Sequence, residues 1–318
     1  MVPKKICILG GTGFVGHRLV YRLVKEGYQI KIITRRPERH RDLLVLPTVE
    51  LESTNIFDID QLSSSLAGYD TVINLIGILN AADNSGNEFR KIHVELTHTI
   101  VQACRRRGIK RLLHMSALNA DASRGTSYYL RTKGDAESFL LASKDMDITI
   151  FRPSVIFGEE DSFLNRFASL LAKTPILPLA CPTARMAPIY IGDVVSAFSH
   201  ALTDRHTIGQ RYDLCGPRSY SLKELVEYVA KLSGRRRMIW GLGDTMSKVQ
   251  AFILDFMPGK PFSLDNYNSL QLDSVCEQPF PAIFNIKPTP LESIAPIYLQ
   301  NKYAHLRYDH FRGSARRH

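Results

Sequence analysis

The spacing of apolar residues near the N-terminus changes from that of a strand to that of a helix. Residues 6–9 are an unbroken apolar run, which is typical of a buried strand. From Phe14 onward, apolar residues recur at helical intervals until Gly27 ends the pattern. The segment Gly10–Gly16 lies between these two patterns. The sequence therefore predicts a strand, a glycine-rich turn and a helix.

Strand and helix patterns continue to alternate up to about residue 157. Near-continuous apolar strands, such as residues 71–77, are typical of a parallel sheet that is covered on both faces. The chain is therefore predicted to be an α/β protein with a doubly wound Rossmann parallel sheet. Further strands are expected at residues 29–34, 49–51, 111–115 and 148–151, and helices at 88–107 and around Tyr129.

The regular alternation ends beyond Gly158, where a smaller C-terminal α+β substrate lobe is predicted. The elements expected there are a helix at 163–171, a strand at 188–192, a helix that Asp193 caps, a strand at 212–214, and a helix that begins with the capping box Ser221–Glu224. We expect a cofactor-binding domain over 1–157 that parts of 186–215 complete, a substrate or partner lobe over 158–300, and a basic tail over 301–318.

The glycine-rich turn is suited to the pyrophosphate of a dinucleotide. Gly10 permits a tight turn, Gly13 lets the backbone approach the pyrophosphate, and Gly16 lets the helix pack on the strand. The helix N-terminus adds free N–H groups and the positive end of its dipole. The residues expected to contact the cofactor here are Gly10, Thr12, Gly13, Phe14, Val15 and Gly16.

Two arginines end the second predicted strand, about 20 residues beyond the turn, where the residue that reads the ribose belongs. An NAD-preferring site usually has a carboxylate there, but this chain has Arg35 and Arg36. A guanidinium matches a 2′-phosphate bidentately. The sequence therefore predicts NADP(H) as the cofactor.

Other residues expected at the cofactor follow later strands. Asn55 can hydrogen-bond an adenine edge, and Gly77 lets a cofactor approach closely at the end of its strand. Pro153 is expected to interrupt the strand ladder and to leave backbone groups free near the nicotinamide. The full set is Asn55, Ile56, Leu75, Ile76, Gly77, Pro153, Val155 and Ile156, together with Tyr129 and Lys133.

Three side chains form a candidate catalytic set. Tyr129 and Lys133 are four residues apart and so share a helix face. A lysine beside a phenol favours the phenolate and lowers the phenol pKa. Ser116 follows the strand at 111–115, at the sheet edge where ligands bind. We expect Ser116, Tyr129 and Lys133 to perform hydride-type chemistry on a carbonyl or hydroxyl group.

The net charge of +10 changes the range of partners rather than the fold. No nucleic-acid-binding motif accompanies the basic runs, so no nucleic acid is expected.

Five widely spaced cysteines in mostly apolar runs are expected to be buried thiols in a reducing compartment, with no metal site. No run of 18 apolar residues exists, so no transmembrane segment is expected. We also expect no signal peptide, because the first core strand begins within a few residues of the N-terminus.

Residues 248–257 are markedly apolar for a surface segment. The favoured interpretation is a helix that packs on the C-terminal lobe, and the alternative is a surface for a lipid, a quinone or a protein partner. Residues 301–318 hold five Lys or Arg residues against one Asp and are expected to be poorly ordered.

Taken together, the motifs resemble the short-chain dehydrogenase/reductase superfamily in its extended or atypical branch. The segments 75–79, 114–120, 151–158, 161–167, 188–194 and 288–292 are similar to the family of the nucleotide-binding accessory subunit of respiratory complex I (alpha-subcomplex subunit nine) and its bacterial relatives. This resemblance implies tight NADP(H) binding, and it includes a protein regarded as structural rather than catalytic.

The chain departs from the pattern at Asn55, where relatives often carry Asp. It also has Gly134 inside the predicted catalytic helix, where glycine costs about 1 kcal/mol relative to Ala and is expected to loosen the helix.

Three functions follow as hypotheses. The leading one is an NADPH-dependent oxidoreductase with an unidentified small-molecule substrate. The second is a non-catalytic NADPH-binding accessory, assembly or sensor protein of a respiratory or quinone-related complex. The third is a nucleotide-sugar epimerase or dehydratase, against which Arg35 and Arg36 argue because such enzymes hold NAD⁺. The expected location is cytoplasmic, with peripheral attachment to the inner membrane in the second case.

Overall fold

Seven parallel strands form the main sheet of the protein. The computed structural model describes residues 4–82, 85–235, 237–257 and 260–300. The strands are β1 (Lys5–Leu9), β2 (Gln29–Ile33), β3 (Val49–Glu52), β4 (Thr71–Asn74), β5 (Arg111–Met115), β6 (Asp147–Pro153) and β11 (Gln210–Leu214). Their spatial order is β11-β6-β5-β4-β1-β2-β3, and every neighbouring pair is parallel. This confirms the predicted doubly wound α/β fold.

Seven helices accompany this sheet in the described part of the chain. The predicted helix at 88–107 is divided, because the π-helical turn Lys91–Glu95 separates two α-helical pieces. The prediction that Asp193 caps its helix is wrong, since the helix begins two residues earlier. The helices are α1 (Phe14–Lys25), α2 (Arg41–Leu44), α3 (Ile59–Ser65), α4 (Asn87–Arg90), α5 (Leu96–Arg106), α6 (Tyr128–Ala142) and α8 (Ile191–Thr203).

The remaining elements are short strand pairs and helices. Ser221 and Glu224 form the predicted capping box at the start of α9. Residues 291–300 are also helical. The pairs are β7 (Ile156–Phe157) with β10 (Ile189–Tyr190), β8 (Ile176–Leu179) with β13 (Met238–Gly241), and β9 (Arg185–Met186) with β12 (Tyr220–Ser221). The helices are α7 (Leu164–Lys173), α9 (Leu222–Leu232), α10 (Asp244–Asp255) and α11 (Leu264–Ser269).

The chain divides into two compact units, and each is discontinuous in sequence. The first comprises the described residues up to Pro153, then Ile191–Leu214 and Phe280–Ile286. The second comprises Ser154–Tyr190, Cys215–Pro279 and the described residues from Lys287 onward. The first unit therefore contains the entire seven-stranded sheet. The basic tail over 301–318 lies outside the described residues.

Each unit has its own apolar core. In the first unit, α3, α5 and α6 cover one face of the sheet with side chains such as Leu62, Ile100 and Leu140. An aromatic cluster joins β6, α8 and residues 280–286 of the same unit, with ring centroids 4.0–6.2 Å apart. The second unit buries apolar side chains of α7, α9 and residues 291–299. The first core fixes the sheet edge where the candidate site lies.

Two glycines in the first unit are required by backbone contacts. A Cβ on Gly16 would lie 2.3 Å from the Gly10 carbonyl oxygen, which leaves no room for a side chain. A Cβ on Gly134 would lie 2.2 Å from the backbone nitrogen of Ala122. The expectation that Gly134 loosens its helix is therefore wrong, because glycine allows α6 to pack against the loop that follows β5.

Three further expectations are corrected. Two of the cysteines expected to be buried thiols form the disulfide Cys215–Cys276 in the second unit. Pro153 does not interrupt the ladder, because it pairs with Leu214 and its carbonyl accepts the Leu118 N–H at 3.0 Å. The segment 248–257 is largely helical, as expected, but Phe252, Ile253, Phe256 and Met257 do not pack on the lobe and are exposed.

Candidate dinucleotide and reaction site

The glycine-rich turn Gly10–Gly13 joins β1 to α1, and Thr12 is its only residue with a side chain. Gly10 adopts a left-handed conformation with φ +83°, and the Gly13 N–H closes the turn by donating to the Gly10 carbonyl at 3.1 Å. Gly10 also packs against the backbone of Leu75 and Ile76, at 3.1 and 3.2 Å from its notional Cβ. The turn is therefore held against the end of β4 by backbone contacts that a side chain would prevent.

The N-terminus of α1 opens at this turn. Gly13 is its cap residue and makes no side-chain hydrogen bond, and no acidic residue stands in the first turn. Thr12, Phe14 and Val15 are half-buried around it. Such a helix start offers N–H groups and a positive dipole end to an anion. The residues present thus fit a dinucleotide pyrophosphate.

Arg35 and Arg36 follow the end of β2, from which Thr34 alone separates them. Both side chains are exposed, and Arg36 precedes the 3₁₀ turn Pro37–Arg39. They therefore occupy the strand end where the ribose of a dinucleotide is read, and they bring positive charge there.

Asn55 and Ile56 occupy the connection from β3 to α3. The Asn55 Oδ1 accepts the Phe57 N–H at 3.1 Å, so this oxygen already closes a local turn. Ile56 packs partly on the sheet core. Asp58, rather than Asn55, caps α3 by accepting from Asp60 and Gln61.

Leu75, Ile76 and Gly77 continue from the end of β4. The Asn74 side chain accepts the Ile76 N–H at 3.1 Å, which fixes the path of the chain after the strand. Gly77 is exposed, and its notional Cβ would lie 3.1 Å from Nζ of Lys133. The structure thus brings the predicted cofactor segment and the predicted catalytic lysine together.

Lys133 is buried on α6, which Ser127 caps by accepting the Leu130 N–H. Its Nζ donates to the Met115 carbonyl at 3.0 Å, at the end of β5. Burial lowers the pKa of Lys133 to about 8, and the nearby Glu137 carboxylate opposes this shift. The ammonium is therefore held at the carboxyl edge of the sheet, between the ends of β4 and β5.

His93 is a site residue that the sequence did not indicate. Its ring lies edge-on to the Tyr129 ring, with centroids 5.5 Å apart. Its Nε2 accepts the Ile78 N–H at 3.2 Å, and its Nδ1 lies 2.9 Å from the Thr132 hydroxyl, which donates to the Tyr128 carbonyl. This arrangement assigns the proton to Nδ1. Burial and the Lys133 charge lower the His93 pKa to about 2, so the ring is neutral.

Ser116 stands at the end of β5 as predicted, but its hydroxyl is buried. It lies beside the Glu137 carboxylate, whose pKa burial raises and the hydroxyl helps to lower. Glu137 also lies 3.3 Å from both Arg152 and Arg211. Glu137 is another residue beside the candidate site that the sequence did not indicate.

The last predicted cofactor residues fall in different units. Pro153 ends β6 in the first unit. Val155 and Ile156 belong to the second unit, where Ile156 pairs with Ile189 in a short parallel ladder. Within the described residues, no group of three or more His, Cys, Asp or Glu side chains is arranged to hold a metal ion. No helix among them is sufficiently long and apolar to span a membrane.

Comparison with known proteins supports the assignment of the fold. The chain is 28% identical over 298 residues to NADH dehydrogenase [ubiquinone] 1 alpha subcomplex subunit 9, mitochondrial, of Mus musculus, covering 90% of this chain and 77% of that protein. The Arabidopsis thaliana protein of the same name is 32% identical over 84% of this chain and 68% of its own length. A ceramide reductase of Caulobacter vibrioides is 27% identical over 60% of this chain and 58% of that protein.

The fold also matches solved structures. MoeE5 in complex with UDP-glucose and NAD superposes with a TM-score of 0.64 at 20% identity, over 75% of this chain and 85% of that one. Residues 6–215 match the model of the NAD dependent epimerase/dehydratase family. They include the glycine-rich turn, Tyr129 and Lys133. The chain therefore belongs to the NAD-dependent epimerase/dehydratase family and has its nicotinamide dinucleotide-binding fold.

Proposed function

We propose that the protein is an NADP(H)-dependent oxidoreductase that interconverts a carbonyl and a hydroxyl group on a small-molecule substrate. The observation that carries this proposal is the position of Lys133. Its buried ammonium lies against exposed Gly77 at the sheet edge, four residues along α6 from Tyr129. An ammonium so placed can hold the hydroxyls of a ribose and stabilise a phenolate nearby.

The roles of the reacting residues follow from this arrangement. When bound, NADPH supplies the hydride that adds to the substrate's carbonyl carbon. Tyr129 gives its phenolic proton to the carbonyl oxygen, which yields the alcohol, and takes a new proton from solvent. Lys133 binds the nicotinamide ribose and favours the phenolate. Ser116 orients the carbonyl through its hydroxyl.

The preference for NADP(H) rests on Arg35 and Arg36. In titrations with NADPH and NADH, we expect NADPH to bind more tightly. Replacing both arginines by alanine should weaken NADPH binding by about tenfold to a hundredfold and leave NADH almost unchanged. Arg218→Ala, which removes an exposed arginine in the second unit, serves as the control. Equal binding of both nucleotides by the wild type would overturn this preference.

The catalytic role rests on Tyr129, and the chain offers a matched control. Tyr129→Phe should abolish NADPH-dependent reduction of a carbonyl substrate while leaving NADPH binding within a few-fold of the wild type. Tyr128→Phe removes the adjacent phenol, which is exposed, and should leave turnover intact. Unchanged turnover in Tyr129→Phe would refute the proposed proton donor.

A non-catalytic role is a second proposal, which the relatives named as complex I subunits favour. In this case the protein holds NADPH as a structural group or sensor in a respiratory or quinone-related complex at the inner membrane. Purified protein would then retain NADPH, and Tyr129→Phe would not affect assembly of the complex.

Family membership also favours an epimerase or dehydratase. Tightly held NAD⁺ and conversion of a nucleotide sugar would establish that function instead.

A further inference from the structure

Helix α10 in the second unit directs its large apolar side chains away from the protein. Its buried residues are small or polar, namely Ser247, Ala251 and Asp255. The opposite side carries exposed apolar side chains, and Phe256, just beyond the helix, has 71% of its surface accessible. A surface helix ordinarily buries its apolar stripe, so this one is inverted. The exposed side chains are Met246, Val249, Phe252, Ile253, Phe256 and Met257.

The ribbon of β8 and β13 continues this surface. Leu177 and Leu179 point into the core of the unit. The alternate positions Ile176, Met238 and Trp240 are exposed, and Ile176 pairs directly with Met238. Trp240, the only tryptophan of the chain, is 62% exposed.

The helix and the ribbon are joined by hydrogen bonds. The Gln250 side chain on α10 donates to the Pro178 carbonyl on β8 at 3.0 Å. The Cys181 N–H, two residues beyond β8, donates to the Ser247 hydroxyl on α10 at 3.1 Å. We refer to the six residues on and just after α10, together with Ile176, Met238 and Trp240, as the apolar face.

The segment that carries most of the apolar face is rich in positive charge. Between residues 231 and 260 the sequence has six Lys or Arg residues and two acidic residues, for a net charge of +4. Both carboxylates are engaged, since Asp244 accepts from the Tyr267 hydroxyl and Asp255 pairs with Lys260. Arg235 and Arg237 contact carbonyls at the end of α7, close to the start of the ribbon.

We propose that the apolar face docks the protein onto the surface of an anionic lipid bilayer. Bulky apolar side chains bordered by Lys and Arg are the pattern of elements that lie in a membrane interface. Tryptophan is favoured at that depth because its ring is apolar and its N–H is polar.

Vesicle flotation of the full chain tests the proposal. The probes are vesicles of phosphatidylcholine alone and of phosphatidylcholine mixed with anionic phosphatidylglycerol. We expect flotation with the anionic vesicles, weakened by added salt, and a blue shift of Trp240 fluorescence. Ile253→Ser should reduce partitioning about tenfold. Ile297→Ser is the matched control, because the two isoleucines are 59% and 60% exposed and Ile297 lies outside the apolar face.

The outcomes separate the membrane from other occupants, and thermal unfolding checks that each variant is folded. Absence of flotation, or equal loss in both variants, would overturn the proposal. Self-association in the absence of lipid that Ile253→Ser abolishes would assign the face to a second copy of the chain and would also overturn it. None of these readouts depends on NADPH binding or on turnover.

Discussion

His93 Nε2 accepts a hydrogen bond from the backbone N–H of Ile78, with the two nitrogens 3.2 Å apart. The contact ties the π-helical turn Lys91–Glu95 to the segment that follows β4. A protonated ring would lose this acceptor and would place a second positive charge near Lys133. The neutral state of His93 is therefore a condition for the local structure.

The first prediction is a loss of stability in acid. The folded protein keeps His93 neutral down to about pH 2, whereas in the unfolded chain it binds a proton near pH 6.5. The unfolded state therefore takes up protons first as the pH falls below 6.5, and the free energy of unfolding decreases. By pH 4.5 the loss should reach about 2 kcal/mol. Urea unfolding across this range measures it, and His93→Gln, which keeps an acceptor for Ile78, should flatten the dependence. An equal slope in both proteins would contradict the assignment.

The second prediction concerns Gly134 and opposes helix propensity. Alanine is favoured by about 1 kcal/mol in a helix interior. However, a Cβ here would lie 2.2 Å from the Ala122 nitrogen and 2.3 Å from the Asp121 carbonyl carbon. Gly134→Ala should therefore destabilise the protein by about 2 kcal/mol or more. Ser138→Ala, one turn further along α6 at an exposed position, should change the stability by less than about 0.5 kcal/mol in the same denaturation assay.

The third prediction compares a buried ion pair with an exposed one. Glu137 is buried between Arg152 and Arg211, so Glu137→Gln removes the more buried of the two carboxylates that pair with Arg152, the other being Asp213. We expect a loss of about 3 kcal/mol. Asp145→Asn breaks a bidentate pair with Arg105 that is open to solvent, and should cost less than about 1 kcal/mol. Chemical denaturation measures both variants, and similar costs would show that burial does not strengthen the Glu137 contacts.

The fourth prediction concerns the disulfide Cys215–Cys276, which joins residues 61 positions apart. A cross-link of this span restricts the unfolded chain and contributes up to about 4 kcal/mol. Reductant should therefore lower the midpoint of urea unfolding in the wild type. The variant Cys215→Ser/Cys276→Ser should start at the lower midpoint and show no response to reductant. A wild-type midpoint that reductant leaves unchanged would contradict a stabilising role for this bond.

Features formed by residues adjacent in the chain could be predicted from the sequence, whereas most contacts between distant residues could not. The turn at Gly10–Gly16 could be recognised because its strand, glycines and helix are adjacent in the chain. The proximity of Lys133 to Gly77 was also accessible, since parallel strands end at one sheet edge. The role of His93 was hidden because a π-helical turn, which the apolar spacing does not report, directs its ring.

Burial accounts for the other differences. Ser116 occupies its predicted strand end, but its hydroxyl is buried near Glu137, which lies 21 residues away on α6. The pairing of Cys215 with Cys276 depends on how the second unit folds back on itself. The apolar residues of α10 were correctly predicted to be helical. Their outward orientation follows from the small residues on the opposite side, which apolar content alone does not indicate.

The order of strands in the sheet has a consequence for synthesis of the protein. Strand β6 lies between β5 and β11, and the ribosome completes β11 only at residue 214. Phe284, which packs against Phe151 on β6, is synthesised later still. Until then β6, rather than β11, is an edge strand of the sheet, and unpaired edge strands promote association with other chains. The unit that carries the glycine-rich turn is therefore complete only after β11 and residues 280–286 have been synthesised.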